Sequence, residues 1–183
     1  MQSRIFKNKF FIIILSACIF AICSFAGVRA VFPLKYYSEI STACKNTGIP
    51  PRLVLAIIKT ESSFDNEKVS PKGAIGLMQI MPSTASYVSS LFFANEEINL
   101  CDAKQNISVG VSYLIYLFDK FEDKKTVLSA YNAGEGRVYD WLENYSYSKD
   151  GKALDYIPFK ETASYVEKVL HAEKIYSAIY CLS

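Results

Sequence analysis

Ile107, Val111, Leu114 and Phe118 recur at spacings of four, three and four. That rhythm matches the turn of an α-helix, about 3.6 residues, and gathers all four side chains into one stripe. A half-buried strand would instead alternate apolar and polar residues, and no convincing run of that kind occurs in the chain. Other segments read the same way. Tyr36 to Lys45 is predicted helical and stops near Gly48 and Pro50. Pro51 suits a first helical turn, so a second helix runs on through Arg52 to Ser62. Further helices are predicted over Pro82 to Phe92, Lys125 to Ala133 and Val138 to Tyr145. A long one covers Glu161 to Tyr180, with Val166, Val169 and Leu170 inward. Asn106 is a candidate cap for the helix that carries the stripe. Asp65 to Lys72, Asn95 to Lys104 and Ser146 to Asp155 read as loops. The expected fold is mainly α: a compact multi-helix domain with at most a short hairpin near Ala74 to Ile80.

The N-terminus differs in character. Arg4, Lys7 and Lys9 precede Phe10 to Val28, a run without charge. As a helix that run rises about 28 Å, close to a bilayer core of about 30 Å. Basic residues before an apolar run mark an export signal or an anchor whose N-terminus stays inside. Three outcomes follow: an uncleaved single-pass anchor through residues 10–28, release after cleavage near Ala30, or lipidation of Cys18 in Leu15-Ser16-Ala17-Cys18. The apolar run continues well past Cys18, so the anchor is the expectation. Each outcome places the rest of the chain outside the cytoplasm. Residues 1–30 are thus expected to be a signal or anchor segment, and 31–183 the working domain.

The formal net charge of +2 misleads. Four of the twenty basic residues lie in the first thirty, where there is no acid. The remaining sixteen face eighteen acids, a balance of −2. Together with the lack of a glycine-rich phosphate loop, this argues against nucleic acid as a partner. Beyond the apolar run, Cys44, Cys101 and Cys181 allow at most one disulfide among them, with the pairing open. His171 is the only histidine, which excludes histidine-rich metal sites. It reads as a helix-surface side chain.

The chemistry concentrates in "LAIIKTESSFDNEKVSPKGAIGLMQIMPSTA", residues 55–85. Ile57 and Ile58 lie four and three residues before Glu61 and share its helix face. Burial there disfavours the charged carboxylate and raises its pKa. A carboxylic acid that keeps its proton near neutrality can donate it to a leaving oxygen, as in glycosidic bond cleavage. Gly73 and Gly76 allow close backbone approach, Gln79 brings an amide donor and acceptor, and Met78 and Met81 bring adaptable apolar surface. Met78 reads first as core. Asp65 is a loop or capping acid in preference to a second catalytic carboxylate, and Trp141 in "RVYDWLENY" reads as core.

"ESSF", "SPKGAIGLMQIMPSTA", "NISVGVSYL", "LSAYNAGEGRV" and "IPFKETASYVEKVL" occur in this order. They resemble the consecutive motifs of the soluble lytic transglycosylase catalytic domain, of the goose-type-lysozyme-like fold in the lysozyme-like α+β class. The resemblance spans about residues 36–180. It implies cleavage of the β-1,4 bond between N-acetylmuramic acid and N-acetylglucosamine in peptidoglycan, without metal or organic cofactor, by a domain expected to be monomeric. It implies that Glu61 is the acid and then the base, while the muramic C6 hydroxyl closes a 1,6-anhydro ring. It also implies that Ser70 sits near the substrate's N-acetyl group, that Gln79, Met81 and Tyr113 line the cleft, and that Tyr131 and Asn132 meet the sugar at the cleavage point. Glu161 would bind substrate from the final helix. Two rival readings stand beside it: a lysozyme that uses water as nucleophile, and an inactive glycan-binding module on the membrane.

Overall fold

A computed structural model of the chain describes residues 2–182, with side chains from residue 15 onward. Arg4, Lys7, Lys9 and residues 10–14 of the apolar run therefore lie outside the described side chains. The chain divides into two units, one reaching to Leu34 and one starting at Lys35. The first is a single helix, α1 (Gln2–Val31). Among the described residues no helix is long and apolar enough to cross a membrane. The expected transmembrane helix over residues 10–28 thus has no structural support, and rests on the sequence alone.

The second unit holds seven helices: α2 (Tyr37–Ala43), α3 (Pro51–Glu61), α4 (Pro82–Phe92), α5 (Ala103–Lys120), α6 (Lys124–Ala133), α7 (Glu135–Leu142) and α8 (Lys160–Tyr180). Proline occupies the first turn of α3 and of α4, where its missing N–H costs no helical bond. Asp102 caps α5 by accepting from the Gln105 N–H at 2.8 Å, and Asp123 caps α6 by accepting from the Thr126 N–H at 2.8 Å. The capping expected of Asn106 is therefore corrected: Asp102 does it, and Asn106 is fully buried inside α5.

Helix α3 is the centre of the core. Leu53, Val54, Leu55, Ala56, Ile57 and Ile58 are all buried, so the helix is covered on every side rather than along one stripe. Its most extensive partner is α8. Tyr165, Val166, Val169, Ala172 and Tyr176 form the buried face of α8, whereas Leu170 is only half-buried. In α5 the buried line runs Ile107, Val111, Leu114, Leu117, with Phe118 displaced to the edge. Arg52 on α3 and Lys124 on α6 both reach the buried Glu173 of α8, at 3.3 and 2.9 Å. This ion pair network ties together the three helices that carry the site.

Two further expectations shift. Helix α7 begins at Glu135 rather than Val138, because Gly134, at φ 89°, ends α6 and opens α7 at once. The hairpin near Ala74 to Ile80 reduces to isolated antiparallel bridges, Val69 with Ile75 and Ile75 with Ile80. His171 is exposed on α8, and Trp141 is buried with its ring edge-on to Phe159 at 5.1 Å.

Candidate active site

Glu61 is the last residue of α3. The core therefore holds its backbone, while its side chain stands where the helix leaves the core. The chain turns away sharply: Ser63 and Phe64 both adopt left-handed conformations, at φ 52° and 68°. The Ser62 hydroxyl steadies the turn, donating to the Ile58 carbonyl and accepting from the Phe64 N–H, each at 3.2 Å. Asp65 is exposed and accepts from the Glu67 N–H at 3.0 Å, so it serves the loop.

Burial pushes the Glu61 carboxyl up to about 7, against a smaller pull downward from the Tyr165 hydroxyl and the Lys68 ammonium. Lys68 Nζ donates to the Glu61 backbone carbonyl. Two phenols from other helices close over the carboxyl. Tyr131 of α6 and Tyr165 of α8 are both pushed well above the usual tyrosine range, first by burial and then by the charge of Glu61. The Tyr131 hydroxyl donates to the Met78 carbonyl at 2.8 Å, which fixes its ring. The Tyr165 hydroxyl is buried near Glu61 and draws its carboxyl downward, yet it makes no hydrogen bond among the described residues.

The facing wall is the stretch 68–81, and one buried amide pins it. Asn106 Oδ1 accepts from the Met78 N–H at 2.9 Å, and Nδ2 donates to the carbonyls of Ile75 and Leu100, each at 2.9 Å. A side chain at Gly76 would strike this amide: a Cβ there would lie 2.3 Å from Asn106 Nδ2. One turn along α5, Gly110 makes room for Met78, whose sulfur would be 2.2 Å from a Cβ. "GLMQ" and "NISVG" are therefore two halves of one joint.

Five of the residues expected to bind substrate meet in one cavity of about 250 Å³: Gln79, Met81, Tyr113, Tyr131 and Asn132. Ile80, Thr84, Ala133 and Gly134 complete its lining. Met78 is fully buried, as its core reading expected. Gln79 uses both amide hydrogens inside its own loop, donating to Lys68 O and Gly76 O at 2.9 Å each. Only its carbonyl oxygen is left for a ligand. Ser70 lies outside the cavity lining, and its hydroxyl accepts from the Ala74 N–H at 3.0 Å. Glu161 is exposed on the first turn of α8, also outside that lining. A larger cavity of about 870 Å³, between α4 and residues 95–101, holds none of the expected site residues. Among the described residues no cluster of His, Cys, Asp or Glu forms a metal-binding group.

Tyr165, Lys68 and Thr84 were not singled out in the sequence. A signal for Tyr165 existed. Tyr165, Val169, Ala172 and Tyr176 recur at four, three and four, the same rhythm as in α5. Tyr165 also follows Glu161 by one helical turn.

The Transglycosylase SLT domain profile matches residues 38–154. The chain is 39% identical over 150 residues to the soluble lytic murein transglycosylase of Escherichia coli K12, covering 79% of this chain and 23% of that protein. It is 37% identical over 127 residues to the membrane-bound lytic murein transglycosylase C of Histophilus somni, covering 63% of this chain and 35% of that protein. The crystal structure of the 70 kDa soluble lytic transglycosylase from Escherichia coli superposes with a TM-score of 0.73 at 33% identity, covering 84% of this chain and 26% of that one. A lytic transglycosylase from Pseudomonas aeruginosa, solved as an inactive glutamate-to-glutamine mutant, superposes with a TM-score of 0.69 at 32% identity, covering 80% of this chain and 24% of that one. The chain thus spans about a quarter to a third of the length of these relatives. With the profile matching more than half of its residues and a solved relative superposing on its fold, the chain belongs to the transglycosylase SLT domain family.

Proposed function

We propose that the chain is a peptidoglycan lytic transglycosylase that cuts the β-1,4 bond between N-acetylmuramic acid and N-acetylglucosamine without adding water. One observation carries this reading. Burial against Tyr131, whose ring lines the cavity, keeps the Glu61 carboxyl protonated up to about 7, while the lining itself holds no carboxylate and Glu135, next to Gly134 of that lining, is engaged by the Tyr116 hydroxyl. Hydrolytic glycosidases generally place a second carboxyl across the scissile bond, as nucleophile or as base for water. Where it is missing, the nucleophile comes from elsewhere.

The proton of Glu61 passes to the glycosidic oxygen, and the bond from that oxygen to C1 of muramic acid breaks. The C6 hydroxyl of the same sugar forms the new bond to C1, and its proton returns to Glu61. Atoms balance with no water consumed. Intramolecular attack gains effective molarities of about 10⁵ M or more over a free reactant, provided that the ring is held in the reactive conformation. That holding falls to the groups of the cavity: the Gln79 carbonyl oxygen, the Tyr113 hydroxyl and the Asn132 amide, with Met81 and the Tyr131 ring as apolar wall. Ser70 is assigned to the N-acetyl side, and Glu161 to the strand where it passes the start of α8. The names of the relatives support the reaction, and the inactive glutamate-to-glutamine relative supports a glutamate at its centre.

The test is a digest of purified peptidoglycan. Fragments should end in 1,6-anhydro-N-acetylmuramic acid, about 18 Da lighter than hydrolytic products because the nucleophile is internal. They should resist borohydride. Mainly reducible, water-added fragments would replace this reading by a lysozyme.

The same proposal places the domain outside the cytoplasm, held at the membrane by residues 10–28. The support is the uncharged run behind a basic flank, together with a relative named as membrane-bound. In fractionated cells the chain should sediment with membranes and be shaved by external protease. A released form that begins near Val31 would show cleavage, and lipid labelling lost in Cys18→Ala would show a lipoprotein.

A further inference from the structure

Four tyrosines form a row outward from Glu61. Tyr131 and Tyr113 have ring centres 5.5 Å apart, Tyr113 and Tyr116 are 6.3 Å apart and nearly parallel, and Tyr116 meets Tyr87 edge-on at 5.5 Å. The inner two line the cavity, and the outer two do not. Each outer group continues a wall of the cavity by one step. Tyr87 is one turn beyond Thr84 on α4, Tyr116 is one turn beyond Tyr113 on α5, and Glu135 follows Gly134 at the start of α7.

These three side chains are joined. The Tyr87 hydroxyl donates to that of Tyr116 at 3.2 Å, and the Tyr116 hydroxyl donates to Glu135 Oε2 at 2.8 Å. Lys120 Nζ stands over the Tyr116 ring at 5.5 Å. Tyr87 is nevertheless 45% exposed, so its ring is fixed in place yet open to solvent. A typical hydrogen bond adds modestly to net stability, and one to a charged group adds more. These bonds hold an aromatic face and a carboxylate in fixed positions at the mouth of the cavity. A hexopyranose presents an apolar face of C–H groups and a rim of hydroxyls. A fixed aromatic ring covers the first, and a carboxylate oxygen accepts from the second. Among the described residues, Glu135 Oε1 has no hydrogen-bond partner.

We propose that Tyr87, Tyr116 and Glu135 form an outer saccharide station, which takes the next sugar of the strand whose neighbour occupies the cavity. The sugar stacks on Tyr87, and one of its hydroxyls donates to Glu135, while Tyr116 holds both groups in register. This rests on the glycan-cleft reading of the site and adds to it a second binding position.

The experiment titrates β-1,4-linked N-acetylglucosamine oligomers, from the dimer to the hexamer, into the full-length Glu61→Gln chain in detergent. Affinity should rise in steps as each sugar finds a contact. Adding Tyr87→Ala should erase one step, a loss of about fivefold to tenfold for the longer oligomers only, the scale of an aromatic contact. Tyr87→Phe keeps the ring and should keep the step, and Glu135→Gln should shrink it. Unchanged steps in Tyr87→Ala would overturn the station, even where the wild-type digest yields anhydro ends and the cleft reading stands. An equal loss at every length, the dimer included, would also overturn it, because the bridge would then be a support for the cavity.

Discussion

Glu61→Gln is expected to lower turnover on peptidoglycan by at least about 10²-fold, the scale of general acid–base catalysis, while the fold is retained. Glutamine keeps the size and the hydrogen-bonding capacity of the side chain but cannot cycle a proton. Wild-type clearing by a folded Glu61→Gln protein would remove Glu61 from the mechanism. The pH profile gives a second readout. In the proposed reaction the acid starts protonated, so the wild-type rate should fall as pH rises through about 7, where burial places this carboxyl. A flat profile from pH 5 to 8 would contradict it.

Stability should respond in the same direction. The folded protein holds a proton at Glu61 that the unfolded chain, titrating at 4.5, has already released. Stability therefore falls as pH rises, between 4.5 and about 7, because the folded state binds more protons there. The contribution is complete below that window and gone above it. In Glu61→Gln this part of the slope should vanish, and at pH 8 the variant should melt no lower than the wild type.

Gly76→Ala is expected to cost about 2–4 kcal/mol, from left-handed strain together with overpacking. Gly76 sits at φ +78°, and a Cβ there would meet Asn106 Nδ2 at 2.3 Å and the Leu100 carbonyl at 2.6 Å. Both atoms are committed, since that amide nitrogen donates to that carbonyl. Gly73→Ala is the control. Its φ is +86°, but nothing lies within 4 Å of the added Cβ, so only the backbone cost of about 1 kcal/mol remains. Thermal melts of the two variants should therefore separate clearly. Gly76→Ala should also lose activity, because the displaced loop carries Gln79 and Met81. Equal melting temperatures for the two variants would mean that the Asn106 joint is not tight.

Much of this protein was legible along the chain. Apolar residues at helical spacing, prolines in first turns and glycines at stops determine which segments form helices, because those preferences are local, although α5 and α7 both begin about a turn earlier than expected. The α4 helix begins and ends where Pro82 and Phe92 predict. Glu61 could be singled out for the same reason: an apolar turn before a carboxylate implies burial of that carboxylate. Gln79, Met81, Tyr113, Tyr131 and Asn132 followed from ordered motifs, and all five line one cavity.

Tertiary structure alone decided the rest. Asn106 reads as a cap because a polar residue beside an apolar stripe has local uses. Its actual partners, Met78, Ile75 and Leu100, include two that lie about thirty residues away, and nothing near it in sequence announces them. Tyr165 reads as one more residue of an amphipathic helix until α8 lies on α3 and brings its hydroxyl beside Glu61. The tyrosine row takes rings from α4, α5 and α6, each ordinary on its own helix. Helix propensity and periodicity act within a few residues and are written in the sequence directly. The pKa of a buried acid and the shape of a cavity depend on which distant surfaces exclude water together, and only packing of the helices settles that.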